Sequence, residues 1–293
     1  MPNIQTGILS DVPRLARYLF FSLKAESSPA KSLQSLAHAI NGDNAVIGIG
    51  ESLLKSLGSS INGLKAFPTY AGPGFDIPGT PGSLWIWLRG DDRGELLHQS
   101  LDIQQQLAEC FDLQNVIDSF QYKDSRDLSG YVDGTENPQG DEAFNAAIVQ
   151  GRGEGLDGSS FVAVQQWVHD LNHFRSMPVK EQDNTIGRRI SDNEEIEDAP
   201  ESAHVKRTAQ EDFSPEAFVV RRSMPWADAE NAGLVFVAFG HSLDAFEALL
   251  KRMTGEEDGI VDALFNFTQP VSGSYYWCPP VNNGQIDLSA LDI

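Results

Sequence analysis

Residues 83–122, SLWIWLRGDDRGELLHQSLDIQQQLAECFDLQNVIDSFQY, read as strand, helix and strand with short connections. The run 83–90 is apolar and aromatic over strand length. Residues 92–110 carry the amphipathic spacing of a helix, and residues 113–122 return to a strand pattern. Moving outward, 14–24 (RLARYLFFSLK) is a buried strand, 29–41 a helix opened by Pro29, and 44–50 (NAVIGIG) a second strand. The order is βαββαβ, the split ferredoxin-like unit. Between its second and third strands lies a long Gly/Pro-rich segment, residues 58–82, of a kind that is more often functional than idle.

The second half repeats this logic. Residues 159–170 (SSFVAVQQWVHD), 216–222 (EAFVVRR) and 233–240 (GLVFVAFG) are strands, and a last short one falls near 274–278. Residues 178–190 begin helically, and 242–253 form a helix capped by Ser242. The acidic insert SDNEEIEDAPESAH, 191–204, reads as a charged loop. The expected fold class is α+β, with antiparallel sheets in two ferredoxin-like domains, 1–128 and 129–293.

The chain has 293 residues and 41% hydrophobic content, enough for substantial cores. Its formal charge of −21, from 42 acids against 21 bases, argues against nucleic acid and anionic membrane as partners, which need basic surface. Cys110 and Cys278 form no CxxC or CxxCH spacing, so thiolate zinc, covalent haem and a disulfide framework lose support. MPNIQTGILSDVP lacks a basic leader or twin arginine, and the apolar runs are strand-length, which together point to the cytoplasm. The tail 282–293 (NNGQIDLSALDI) reads either as a docking peptide or as a disordered terminus.

The most informative local stretch is Gly130-Tyr-Val-Asp133-Gly134-Thr-Glu-Asn-Pro138-Gln-Gly140. A carboxylate stands between glycines that permit φ > 0 and let the backbone approach a flat ligand, and Asn-Pro then forces an extended turn. Composition alone would make this a surface loop. The stretch resembles, almost letter for letter, the GxxDG signature of the dye-decolorizing peroxidases. Further segments carry the same resemblance: Ile186-Gly187-Arg188, Ser202-Ala-His204-Val-Lys-Arg207-Thr208, VVRRSMPW at 219–226, and VDALFNFTQPVSGSYYWCPP at 261–280. It extends from about Gly7 to Pro280 and is most like the B-type branch, departing at Arg189, Arg222 and Trp226.

The resemblance implies a haem b peroxidase with haem in the C-terminal domain and His204 as the axial iron ligand. Asp133 would be the acid–base group and Arg221 the charge stabiliser, with Ser223 beside it. Gly134, Ile186, Gly187, Arg188, Trp226 and Asp262 would line or support the cofactor, Arg188 through a propionate and Asp262 through the second N–H of His204 or as an ordinary cap. Strand alternation lets only one of Arg221 and Arg222 face the pocket, and alignment on Met224-Pro225 selects Arg221, together with Ser223 on its face. A one-residue bulge would exchange the two arginines. A carboxylate beside an arginine should have a depressed pKa. His169 and His173 share an i, i+4 spacing that suits zinc on a helix but lack a third ligand, and His169 is expected to be structural.

Hydrogen peroxide and small organic reductants such as dyes, phenols or porphyrinogens are the implied partners, reacting through a ferryl intermediate. A homo-oligomer and an encapsulating shell belong to the same expectation. Two other readings stay open at this point: a haem carrier or iron-releasing protein with incidental peroxidase activity, and a ferredoxin-like binding module without a cofactor.

Overall fold

The computed structural model describes residues 3–293. The first half runs β1 (Leu15–Leu23), α1 (Ala30–Ala39), β2 (Ala45–Ile49), α2 (Glu51–Ser56), the hairpin β3 (Tyr70–Gly72) and β4 (Phe75–Ile77), β5 (Leu84–Gly90), α3 (Arg93–Leu107) and β6 (Phe111–Phe120). Asp92 starts α3 by accepting the N–H groups of Gly94 and Glu95 at 2.7 and 3.0 Å. The second half runs α4 (Gly140–Ala147), β7 (Ser160–His169), α5 (Leu171–Ser176), α6 (Val179–Ile186), α7 (His204–Arg207), β8 (Val220–Arg221), β9 (Met224–Ala227), β10 (Ala232–Gly240), α8 (Asp244–Met253), β11 (Thr268–Pro270), β12 (Ser274–Cys278) and the small pair β13 (Val281–Asn282) and β14 (Gln285–Ile286).

In the first half the strands lie in the order β2-β5-β1-β6, and in the second β12-β7-β10-β9, each neighbour antiparallel. The halves are not separate sheets. Ile49 pairs with Trp277 at one junction and Ser119 with Trp226 at the other, so eight strands close into a ring. Even-numbered residues of β1, β2, β7 and β12, with odd-numbered residues of β5 and β10, fill one face of this ring. Tyr18, Trp85 and Trp87 stack there with centroids 6.2 to 6.5 Å apart, against Tyr276 and Phe239. The opposite face is covered by α1 and α3 in the first half and by α8 in the second.

Three expectations are corrected here. The strand foreseen over 216–222 pairs only at Val220–Arg221 and resumes at Met224, because the N–H groups of Ala217 and Val219 go to the backbone and side-chain oxygens of Gln210 instead. His169 closes β7 while His173 lies in α5, so the two do not share a helical face. The tail is not loose: Ile286, Leu288 and Leu291 are buried in the main core, with β14 against α1. No helix among the described residues is long and apolar enough to cross a membrane.

Gln5 clips the β2–β12 junction. Fully buried, it donates to the carbonyls of Ile47 and Pro279, both at 3.0 Å, and accepts the Ile47 N–H at 2.8 Å. Replacing it with Leu strands three buried backbone groups, so Gln5→Leu should lower unfolding free energy by on the order of 3 kcal/mol. Urea unfolding checks this, with a lower midpoint at unchanged slope; a loss below about 1 kcal/mol contradicts it.

Candidate functional site

Asp133 leaves a tight hairpin built by its own backbone. The N–H of Asp127 bonds Tyr131 O, the N–H of Asp133 bonds Ser125 O, and Arg126 and Val132 form a bridge. Gly130 at φ +98° and Gly134 at φ +79° make the two turns that a Cβ would strain. Asn137 then ties this loop to β8: its side chain accepts the Arg221 N–H at 2.8 Å and donates to Arg221 O at 2.9 Å, standing in for a neighbouring strand. Gln210 does the same one step away, between Glu136 O and the Val219 N–H. Asp133 and Arg221 are thereby carried on one hydrogen-bonded frame.

Register decides which arginine enters the site. Arg221 pairs with Ala238 and Met224 with Val235, equal steps on both strands, so no bulge intervenes. Arg221 lines the cavity with Asp133 and His204. Arg222 turns away, donating to Leu9 O at 2.7 Å and Arg221 O at 3.0 Å. The same alternation corrects the place of Trp226: it lies on the face opposite Arg221, in the ring core, with its indole N–H on Trp167 O at 2.9 Å. Ser223 lines an adjoining polar cavity, shared with Gln121, Ser125, Asn137, Asp133 and Arg221, rather than the main one.

His204 opens α7, which is anchored by Arg207. That guanidinium grips both oxygens of Asp258 at 2.7 Å and the Arg252 carbonyl at 2.7 Å. Gly187, at φ +95° after α6, allows close approach: a Cβ there would lie 3.1 Å from Cβ of Val205. His204 Nδ1 meets Asp262 Oδ2 at 2.8 Å, while Asp262 Oδ1 accepts the Leu264 N–H at 2.8 Å, so the carboxylate both orients the imidazole and caps the next turn. Nε2 of His204 makes no hydrogen bond among the described residues and is left for the cavity.

The cavity lies between the β7–β10 surface and α8. It encloses about 1030 Å³, counting its open mouth, and Leu234, Phe236, Phe246, Leu250 and Ile186 make its walls mainly apolar. Gln165, Trp167 and Arg221 also line it, and Gln165 Nε2, Trp167 Nε1 and Arg221 Nε are buried with no hydrogen-bond partner among the described residues. Arg188 sits at a side cavity beside Asp133 and His204, bonded to Glu136 Oε1 at 2.5 Å, Glu195 Oε2 at 3.2 Å and Asn193 O at 3.0 Å. Gly134 lines that side cavity too. The sequence reading passed over Asn137, Gln210 and Gln165, and over Asp127, whose carboxylate pairs with His169 on the cavity wall. Of these only Asn137 left a local signal, and Asn-Pro announces a turn without revealing a partner far along the chain.

The electrostatics of Asp133 run against the expected depression. Burial pushes its pKa up; Arg221 opposes this, Asp127 adds to the rise, and the Gly134 N–H and His204 counter it. Its partial exposure opens into the cavities, where its charge is poorly solvated.

A family model described as "Dyp-type peroxidase, C-terminal" matches residues 124–283. A dye-decolorizing peroxidase of Rhodococcus erythropolis is 30% identical over 298 residues, covering 95% of this chain and 87% of its own. A putative dyp-type peroxidase from Shewanella oneidensis superposes with a TM-score of 0.88 at 29% identity, over 99% of this chain and 98% of the other. A DypB variant from Rhodococcus jostii, solved in complex with heme, gives 0.84 at 25% identity over 93% and 94%.

Because its folded-state pKa is raised, Asp133 binds its proton more tightly in the native state than in the unfolded chain, and ionising it costs stability. Asp133→Asn should therefore raise the melting temperature at neutral pH. The gain should shrink as pH falls and vanish below the unfolded carboxylate pKa of about 3.9. An Asn variant less stable than wild type at pH 7 contradicts the assignment.

Proposed function

The chain belongs to the dye-decolorizing peroxidase family, and from that premise we propose that it is a haem b peroxidase of the B-type branch, with the cofactor held in the second of two ferredoxin-like units. The observation that carries this reading is His204: one imidazole with Nδ1 fixed by a buried carboxylate and Nε2 turned into a mainly apolar cavity. His204 would hold the haem iron through Nε2, and the carboxylate would raise the basicity of that nitrogen. His169 is no rival, since both its ring nitrogens are engaged. Ile186 and Gly187 support the wall, and Arg188 would exchange a glutamate for a haem propionate.

When bound, haem supplies the redox centre that peroxide oxidises and organic reductants restore one electron at a time. Asp133 accepts a proton from one peroxide oxygen and returns it to the other, work for which it must be ionised on arrival. Arg221, fixed through its backbone to Asn137, stabilises the negative charge that develops as the O–O bond parts. The polar cavity holding Ser223 also borders Asp133 and Arg221. Dyes, phenols or porphyrinogens fit as reductants, and a homo-oligomer fits the family.

Purified protein supplied with haem should give a ferric Soret band and oxidise a dye only with peroxide; His204→Ala should bind haem poorly. A colourless wild type, or an unchanged band in His204→Ala, refutes the reading. Arg221→Leu should slow the reaction with peroxide by about 10² to 10³ and Asp133→Ala by about 10² to 10⁴, while Arg222→Leu loses stability rather than rate. The wild-type rate should fall on acidification as Asp133 protonates. In Arg221→Leu that fall should begin at higher pH, because the charge opposing the rise is gone; stopped-flow mixing across pH 4–8 decides it.

A further inference from the structure

β7 borders a second chamber that peroxide chemistry does not use. Its odd-numbered residues Gln165, Trp167 and His169 line the large cavity, while Phe161, farther back on the same face, lines a separate one. Trp277 stands opposite Phe161 on β12 and lines it too. The two cavities share no lining residue. The smaller encloses about 580 Å³, counting its open mouth, and Ile61, Val149 and Leu156 complete its apolar walls. One side is the loop joining α4 to β7, closed at its neck by bonds from Val149 N–H to Ser159 O at 2.9 Å and from Gly158 N–H to Val149 O at 3.0 Å. Asp157 stiffens this loop by accepting the Arg152 N–H at 2.7 Å.

The polar groups of the chamber are short of acceptors. Ser159 is 1% exposed and Trp277 0%, yet Ser159 Oγ and Trp277 Nε1 have no hydrogen-bond partner among the described residues, where buried groups of this kind are ordinarily bonded. Arg152 and Asn62, the exposed members of the lining, meet at the rim, with Arg152 Nη1 on Asn62 O at 3.4 Å. That guanidinium makes no ion pair among the described residues. No acidic residue lines the chamber, although acids outnumber bases 42 to 21 in the chain. We propose that the chamber is a second ligand site, for a small aromatic carboxylate whose ring lies against Phe161 and Trp277 and whose carboxylate is held by Arg152 and Ser159. Two aromatic side chains suit a flat apolar body, and a guanidinium fork matches a pair of carboxylate oxygens. An uncharged ligand of the same shape would leave Arg152 to water.

The test uses the full chain supplied with haem, with para-fluorobenzoate as the probe and fluorine NMR as the readout. The probe should bind saturably with a Kd on the order of 1 mM or tighter, and para-fluorobenzyl alcohol, which keeps the ring without the charge, about tenfold more weakly. Arg152→Gln, a change at an exposed position, should weaken the benzoate about tenfold and leave the alcohol as it was. Ser159→Ala should weaken the benzoate without lowering the melting temperature, because the hydroxyl has no internal partner to lose. Arg221→Leu, in the large cavity, should bind the probe as wild type does. No saturable binding, an affinity indifferent to Arg152→Gln, or loss of binding in Arg221→Leu, which puts the probe in the large cavity, each overturns the proposal. So does a Ser159→Ala variant that melts lower and binds normally. The outcome is separate from the haem reading: a chain that takes up no haem overturns that reading, while the same variants still decide this one.

Discussion

A side chain on a closed antiparallel ring has two destinations, and neighbours in sequence take opposite ones. One face is filled by the Tyr18, Trp85 and Trp87 stack and leaves no room for a ligand. The other must be covered by helices. In the first half α1 and α3 pack onto it, whereas in the second α8 covers a surface studded with Gln165, Trp167, His169 and Arg221, and a chamber is left between. Parity therefore sorts the chemistry: Arg221 enters the chamber, while Arg222 and Trp226, odd steps away, do not.

Within the chamber the carboxylate and the guanidinium are set by backbone rather than by each other. Asn137 and Gln210 spend amide side chains on strand-like bonds that join the hairpin loop to β8, leaving the Arg221 head group uncommitted. A direct Asp133–Arg221 salt bridge would have satisfied both charges; none forms among the described residues. Holding them on one frame leaves Asp133, whose pKa burial raises, costly to ionise, and leaves Arg221 Nε without a hydrogen-bond partner among the described residues.

The elements that bury whole faces were legible in the sequence. The first-half strands and α3 announce themselves because apolar alternation and helical periodicity persist over many residues, and both halves show the strand order that a βαββαβ unit produces. Short elements were not. α2, α4, α5 and the interruption between β8 and β9 are set by tertiary partners such as Gln210, which local composition does not record. At the site, motif spacing pointed to Asp133, His204 and Arg221, and the structure gathers these three around one cavity. Trp226 failed because the motif was read without following its alternation to the end. The pKa of Asp133 failed in sign because proximity of opposite charge was weighed without the depth of burial.

The seam between β2 and β12 bears on how the molecule is made. Ile49 finds its partner Trp277, and Gln5 its acceptor at Pro279, only at the far end of the chain. On the ribosome, a nascent first half presents β2 as a bare sheet edge, with apolar strands on either side of it in sequence, for as long as the second half takes to emerge. The strand that closes the seam therefore emerges long after the edge it covers, and until then the acidic charge of the chain opposes the approach of neighbouring copies to that edge.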